Sequence, residues 1–254
     1  TATVKVTVAI PDVDKKGAAE NQETADKSKN TDQQKAADQQ KTTDQQTVEP
    51  TKEEKAAISM NAGLKISQTG SKIKVTWGEV EGADGYDVYV AYCGKSFNTH
   101  RPNKTIKSHA KCSTTITRIS GKKLNLKKNY KLYITAYKVV DGKKVVLAKT
   151  ITGHIVGRKN TAYTNVKNIK LSKKNYIVKV SKTTKIKAKT VLVDKTKKQL
   201  SNAHAAQFRY ATSDKKIATV DKKGRIKGIS VGKCTIYVYA RNGYAKKVKV
   251  TVKK

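Results

Sequence analysis

The feature that most limits what this chain can become is an alternation of apolar and polar residues, broken at short intervals by turn residues. It is clearest over 208–252. There Val248, Val250 and Val252 alternate with Lys and Thr, and Cys234, Ile236, Val238 and Ala240 alternate with polar or tyrosine neighbours. A period of two puts one face of an extended segment in a dry interior and the other in water. The alternating runs are parted by Ser213-Asp214-Lys215-Lys216, Lys223-Gly224, Val231-Gly232 and Asn242-Gly243. Asn-Gly predicts a tight hairpin with both central residues at positive φ. Short strands joined in this way cannot bury their apolar faces singly, so the expected class is all-β, with sheets packed in pairs.

The same alternation marks a second unit upstream. Ile73, Val75 and Trp77 are expected to point inward, as are Tyr86, Val88 and Val90, and then Tyr130, Leu132, Ile134 and Ala136. Residues 82–85 form a turn, and Asp141-Gly142 starts a hairpin into 145–152. Residues 93–111 are rich in His, Lys and Asn and read as loop, which leaves the middle strands of this unit unplaced. In the second unit, 166–171 and 176–180 read as one interrupted first strand, and 186–193 as the next.

Two N-terminal segments behave differently. Residues 1–10 alternate cleanly, and Val4-Lys5-Val6-Thr7-Val8 recurs as Val248-Lys249-Val250-Thr251-Val252. They read as the remnant last strand of an upstream domain of the same kind, so the chain is expected to be a fragment of a longer protein. In 11–57 Asp-Gln-Gln recurs at Asp32, Asp38 and Asp44, and 31–47 contain no branched aliphatic or aromatic residue. Such a stretch cannot bury enough apolar surface to offset the entropy of ordering, so it is expected to be a low-complexity flexible linker.

The order of parts in the C-terminal unit resembles the group 2 bacterial immunoglobulin-like domain. The residues that carry the resemblance are Tyr210-Ala211-Thr212-Ser213-Asp214, the run Ile217 to Asp221, the run Gly224 to Gly228, and the run Gly232 to Ile236. Trp77, then Gly85-Tyr86-Asp87-Val88, then Leu126 and the alternation from Tyr130 make the upstream unit similar to fibronectin type III domains. The resemblances imply two immunoglobulin-like β-sandwiches in tandem, at 58–157 and 158–254. They imply core roles for Trp77, Tyr86, Tyr130, Tyr210 and Ile236, with the Tyr130 hydroxyl tying down a loop. They also imply an exported bacterial protein, in which such modules space, present or attach other domains at the cell surface.

Charge sharpens the question of partners. The chain carries 55 Lys and Arg against 19 Asp and Glu, net +36. Residues 158–254 hold 28 basic and 3 acidic side chains, 58–157 hold 18 and 5, and 11–57 hold 8 and 11. Both folded units are therefore polycations, whose field draws in polyanions in a salt-dependent way. Lysines on the wet faces of sheets also discourage edge-to-edge pairing, without any ligand. The expected partner is an anionic cell-wall polymer, a host glycan or a surface protein. No recognition helix, zinc knuckle or RNA-binding sheet motif is present, so no specific nucleic-acid partner is expected. No run approaches the roughly 20 apolar residues of a membrane-spanning helix, so no membrane insertion is expected.

Chemistry finds little footing. The nucleophile-elbow, zincin, Walker and EF-hand patterns are all missing, and no pair of acids of glycosidase type presents itself, so catalysis and cofactors are not expected. Cys93, His100, His109 and Cys112 share one loop region. Three readings stand for it: a zinc site, though no tight Cys-x-x-Cys knuckle supports one; a disulfide between Cys93 and Cys112; or small unpaired thiols. One ligand surface follows from the alternation. If Tyr86, Val88, Val90, Tyr130, Leu132 and Ile134 face inward, Tyr89, Tyr133 and Tyr137 face outward as an aromatic patch edged by Lys131. The patch is expected either to stack on sugar rings or to be cross-strand pairing that only stabilises the sheet. Tyr237, Tyr239 and Arg241 pose the same choice. The two functions that follow are a spacer and adhesion stalk with basic faces, and a carbohydrate-binding accessory module of a larger extracellular enzyme.

Overall fold

The computed structural model describes residues 51–254; the expected strand at 1–10 and the linker up to residue 50 lie outside the described residues. The expected linker ends sooner than its boundary at 57. Lys52–Ala62 form helix α1, opened by a capping box in which Thr51 Oγ1 accepts from Glu54 N–H and the Glu54 carboxylate accepts from Thr51 N–H. The Thr-x-x-Glu signature satisfies two amide donors that a helix start otherwise leaves unpaired. Met60 is buried in the first core, which holds the helix in place.

The first module contains ten strands: β1 (Lys65–Thr69), β2 (Lys72–Thr76), β3 (Gly85–Tyr92), β4 (Lys104–Ile106), β5 (Ser113–Ile116), β6 (Arg118–Ile119), β7 (Lys122–Lys123), β8 (Asn129–Val140), β9 (Lys143–Lys149) and β10 (Gly153–Val156). One sheet has the order β1-β2-β5 and the other β10-β8-β3-β4, with β9 paired to the far half of β8. Ile73, Val75 and Trp77 meet Tyr86, Val88, Leu132 and Ile134 in one core, as the alternation requires. Removing a side chain such as Ile134 from water is worth about 1.5–3 kcal/mol. The Trp77 and Tyr86 rings meet edge to face at 5.1 Å. Tyr130 donates its hydroxyl to the Asn125 carbonyl at 2.6 Å, which pins the loop that leads into β8. Within the loopy 93–111 stretch, β4 pairs with β3, so Asn103–Ile106 close the sheet edge that the sequence left blank.

The second module contains nine strands: β11 (Val166–Leu171), β12 (Asn175–Lys179), β13 (Thr183–Lys185), β14 (Ala188–Leu192), β15 (Phe208–Thr212), β16 (Ala218–Val220), β17 (Arg225–Gly228), β18 (Gly232–Ala240) and β19 (Ala245–Lys253). The interrupted first strand is divided between two partners. β11 pairs antiparallel with β14, and β12 crosses over to pair in parallel with β19. The main sheet runs β12-β19-β18-β15, opposite β13-β17-β16 and β11-β14. Ile236, Val238, Val248, Val250 and Val252 lie in its core, and Tyr210 packs at the core margin, half-buried.

The two turn dipeptides differ. Asp141 and Gly142 both adopt positive φ, at 50° and 72°, and join β8 to β9 as a two-residue hairpin. At Asn242-Gly243 only the glycine does, at 81°. Here Gly243 N–H donates to Ala240 C=O and Ala240 N–H to Tyr244 C=O, which makes a longer loop with one left-handed residue. The Asn242 side chain is drawn instead to Val166 C=O, at 2.7 Å. That buried bond holds the second module's entry strand to this loop and offsets the loss of the tighter turn.

The same loop meets the first module. A Cβ on Gly243 would stand 2.8 Å from Leu64 Cδ2, which shows how closely the loop approaches β1. His154 N–H of β10 donates to Arg241 C=O at 2.7 Å, and Arg209 Nη1 donates to Thr152 C=O at 2.6 Å. Asn165 exchanges two side-chain bonds with the backbone of Val156, at 2.8 and 3.0 Å, so the connector between the modules is tied at both ends.

Candidate functional site

The predicted aromatic face exists, but it is covered. β3 and β8 are antiparallel neighbours, with Tyr89 opposite Tyr133 and Gly85 opposite Tyr137. Tyr133 and Tyr137 point away from the core cluster, yet they are only 6% and 3% exposed, and Tyr89 is half-buried. The expectation of an exposed patch is therefore corrected: the direction follows the alternation, whereas the exposure does not. Phe97, from the loop after β3, stands edge-on against the Tyr133 ring at 4.7 Å, and Tyr89 stacks on it at 4.8 Å.

Lysines complete the cover. Lys149 Nζ lies 4.0 Å from the Tyr133 ring centre, Lys144 Nζ 4.0 Å from that of Tyr137, and Lys131 Nζ 4.6 Å from that of Phe97. Cations over ring faces gain from the ring quadrupole while their stems shield apolar surface. Lys144 also pairs at 2.7 Å with buried Asp87, whose Oδ1 accepts from Thr105. This network is structural: each ring and each charge already has a partner. In the second module Tyr237 and Tyr239 stack at 6.1 Å, with Tyr239 almost fully buried, so that pair offers no open platform either.

Of the three readings of the loop region, the disulfide between Cys93 and Cys112 is not the one the structure takes. Cys93, Cys112 and Cys234 are all free thiols. Cys112 leads into β5 and turns inward, with Sγ 3.5 Å from the Tyr86 hydroxyl and 3.4 Å from His109 C=O. Cys93 follows β3 on the opposite, outer face, where its N–H donates to Asn129 C=O. The four-residue loop cluster dissolves in the same way, since His109 faces Glu79 at 3.7 Å and His100 is exposed. Cys234 is buried beside Thr212, in agreement with inert packing.

Cys93 has other company. Its Sγ lies 3.6 Å from Nδ1 of His154, which β10 holds beside Lys131 of β8. His204, on a turn of the second module, completes a group whose ligand atoms all lie within 4.8 Å of one another. Burial pushes the Cys93 thiol up to about 11, with Lys131 pulling the other way. Burial, followed by Arg209, His204, Lys131 and Arg241, lowers His154 to about 4, so its imidazole is neutral at ordinary pH. No spacing signal links these three residues; only the packing of one module on the other brings them together.

The clearest open surface is electrostatic. The four strands of the main sheet of the second module contain no Asp or Glu, and their wet face exposes Lys179, Lys233, Lys247, Lys249 and Lys253. Opposite the buried Val248, Val250 and Val252, the wet face lines up Lys247 beside Tyr237 and Lys249 beside both Thr235 and Asn175. A cleft of about 540 Å³ between the modules repeats the sign, with Lys65, Arg158, Lys167 and Lys197 against the single acid Asp194. No helix among the described residues is long and apolar enough to cross a membrane.

No curated protein matches this chain. Among solved structures, domains 4 and 5 of the S-layer protein SbsC are similar at 13% identity, over 74% of this chain and 85% of that one, with a TM-score of 0.31. The fibronectin(III)-like modules of Clostridium thermocellum CbhA are similar at 15% identity, over 75% and 94%, with a TM-score of 0.24. A C-terminal 282-residue fragment of intimin, solved with the intimin-binding domain of its translocated receptor, is similar at 14% identity over 74% and 62%, with a TM-score of 0.26. The family model of the bacterial Ig-like domain (group 2) matches residues 165–252, which span nearly all of the second module.

Proposed function

We propose that this chain is a non-catalytic, modular region of a bacterial surface protein, a spacer and adhesion stalk that holds to anionic cell-wall polymers or host glycans. The observation that carries the reading is the acid-free main sheet of the second module, with Lys179, Lys233, Lys247, Lys249 and Lys253 exposed on its wet face. A sheet face of one sign raises the local concentration of polyanions and speeds their capture, and salt screens it over about 10 Å at 0.1 M. The bonds that join the two sandwiches would present that face at a set angle. The alternative of a carbohydrate-binding accessory module loses its main support, because Tyr133 and Tyr137 are covered.

Retention on purified cell wall and on a heparin matrix, eluted with rising salt, tests the reading. The triple variant Lys233→Glu, Lys247→Glu, Lys249→Glu should elute at markedly lower salt than the parent. An equal change of charge in the first module, Lys72→Glu, Lys122→Glu, Lys123→Glu, should shift elution less. Equal shifts for the two variants would reduce the effect to net charge, and failure to bind either matrix at physiological salt would remove the adhesive half of the proposal.

A further inference from the structure

Cys93, His154 and His204 come from three separate stretches and both modules, yet their ligand atoms converge within 4.8 Å at the junction. We propose that they form a binding site for one thiophilic transition-metal ion of the zinc class, which clamps the first module to the second. This inference is independent of the lysine-rich sheet face.

The geometry suits such an ion. With metal–sulfur and metal–nitrogen bonds of about 2.3 and 2.0–2.1 Å, a tetrahedral centre separates its sulfur and nitrogen ligands by roughly 3.5 Å. Cys93 Sγ and His154 Nδ1 stand 3.6 Å apart. Two nitrogen ligands on the same centre would lie roughly 3.3 Å apart. His204 has therefore to approach by up to about 1.5 Å from its half-buried turn, where its backbone N–H is bonded to Ser201 C=O. The other two ligands are fixed by backbone bonds: Cys93 to Asn129 C=O, and His154 to Arg241 C=O.

The donor set selects the ion. One sulfur and two imidazole nitrogens with no carboxylate favour zinc, cobalt and copper over magnesium or calcium, which seek oxygen. On binding, the sulfur–metal bond forms as the Cys93 S–H proton leaves to solvent, and the resulting thiolate offsets one charge of the ion. The positive groups around the cluster are Lys131, Arg209 and Arg241. Arg209 sends its Nη donors to the carbonyls of Thr152, Ala240 and Arg241, and Arg241 sends its Nε to Ala205 C=O. Their charge is thus spread onto carbonyl oxygens. An ion held here would bridge Cys93 and His154 of one sandwich to His204 of the other, and would convert a hydrogen-bonded junction into a coordinated one.

Titration of metal-stripped protein with Co²⁺ tests this directly. The expected result is a thiolate-to-cobalt charge-transfer band with intense four-coordinate ligand-field bands, saturating at one ion per chain and displaced by Zn²⁺. His204→Ala should weaken binding by about 100-fold or more, given that even outer-shell changes cost about 10–100-fold. Because His204 sits on a half-buried turn, that variant keeps the fold, which its unfolding curve checks. Cys93→Ser should remove the charge-transfer band, whereas Cys112→Ser and His109→Ala should leave it intact. Absence of the band in the parent protein, its persistence in Cys93→Ser, or parental affinity in His204→Ala would overturn the proposal.

Discussion

The ring of Tyr137 lies across Gly85, its register partner on the neighbouring strand: a Cβ at position 85 would stand 2.7 Å from the phenolic oxygen and 2.2 Å from the carbonyl oxygen of Ile106. The glycine thus lets an aromatic ring and a third strand close on the same point, and Lys144 caps the ring from outside. Gly85→Ala must push a strand backbone rather than a flexible side chain. It should lower stability by about 1–3 kcal/mol, the usual cost of overpacking, read as a fall in urea midpoint at unchanged m-value.

Tyr133→Ala should be destabilising by about 3 kcal/mol, because it removes a buried ring touched by Phe97, Tyr89 and the Lys149 ammonium. An exposed sugar platform would instead give a variant of near-parental stability. Thermal unfolding of the single variant separates the two pictures.

Arg209 donates to three carbonyls, one in the first module and two in the second. Arg209→Met leaves those acceptors without their charged donor and should cost roughly 2–4 kcal/mol of junction stability. Calorimetry should then resolve two separate transitions where the parent unfolds with the modules coupled.

His154 supplies a pH dependence whose sign is fixed by its surroundings. Its folded value of about 4 lies below the ordinary 6.5, so the unfolded chain binds the proton more readily. The contribution is complete above pH 6.5 and is lost as pH falls through that window toward 4. In chelator-treated buffer, stability should fall between pH 6.5 and about 5, before the carboxylates titrate, and His154→Gln should flatten that segment. Below it, Asp194 and Asp221, held low mainly by hydrogen bonds from Thr196 and Arg225, should add a further loss in both proteins.

Much of the fold was legible in the residues. The alternation of Tyr86, Val88 and Val90 against Tyr130, Leu132 and Ile134 names one core, and that of Cys234, Ile236, Val248 and Val250 names the other. Side-chain period two is a local property of extended backbone, so it can be read without knowing any partner. The interruption of the first strand was legible, but not that its two halves take different partners, because β11 carries a register shift that breaks its alternation and β12 pairs with the distant β19. Helix α1 was missed although Thr51 and Glu54 spell a capping box, because a weakly apolar segment forms a helix only when a core holds Met60.

The candidate site was hardly legible at all. Which way Tyr133 points follows from its neighbours in sequence; whether it meets water depends on Phe97 and Lys149 arriving from elsewhere. Cys93 was grouped with Cys112 by proximity along the chain, but the first follows β3 in one sheet and turns outward, while the second leads into β5 in the other sheet and turns toward the core. Local chemistry determined the strands of the sandwiches, the Asp141-Gly142 turn and the cationic wet faces, whereas the turn at Asn242-Gly243 yielded to a bond with Val166. Only the docking of one sandwich on the other decided that Cys93, His154 and His204 share a junction, because contact between distant residues depends on how surfaces fit and not on the order in which the chain presents them.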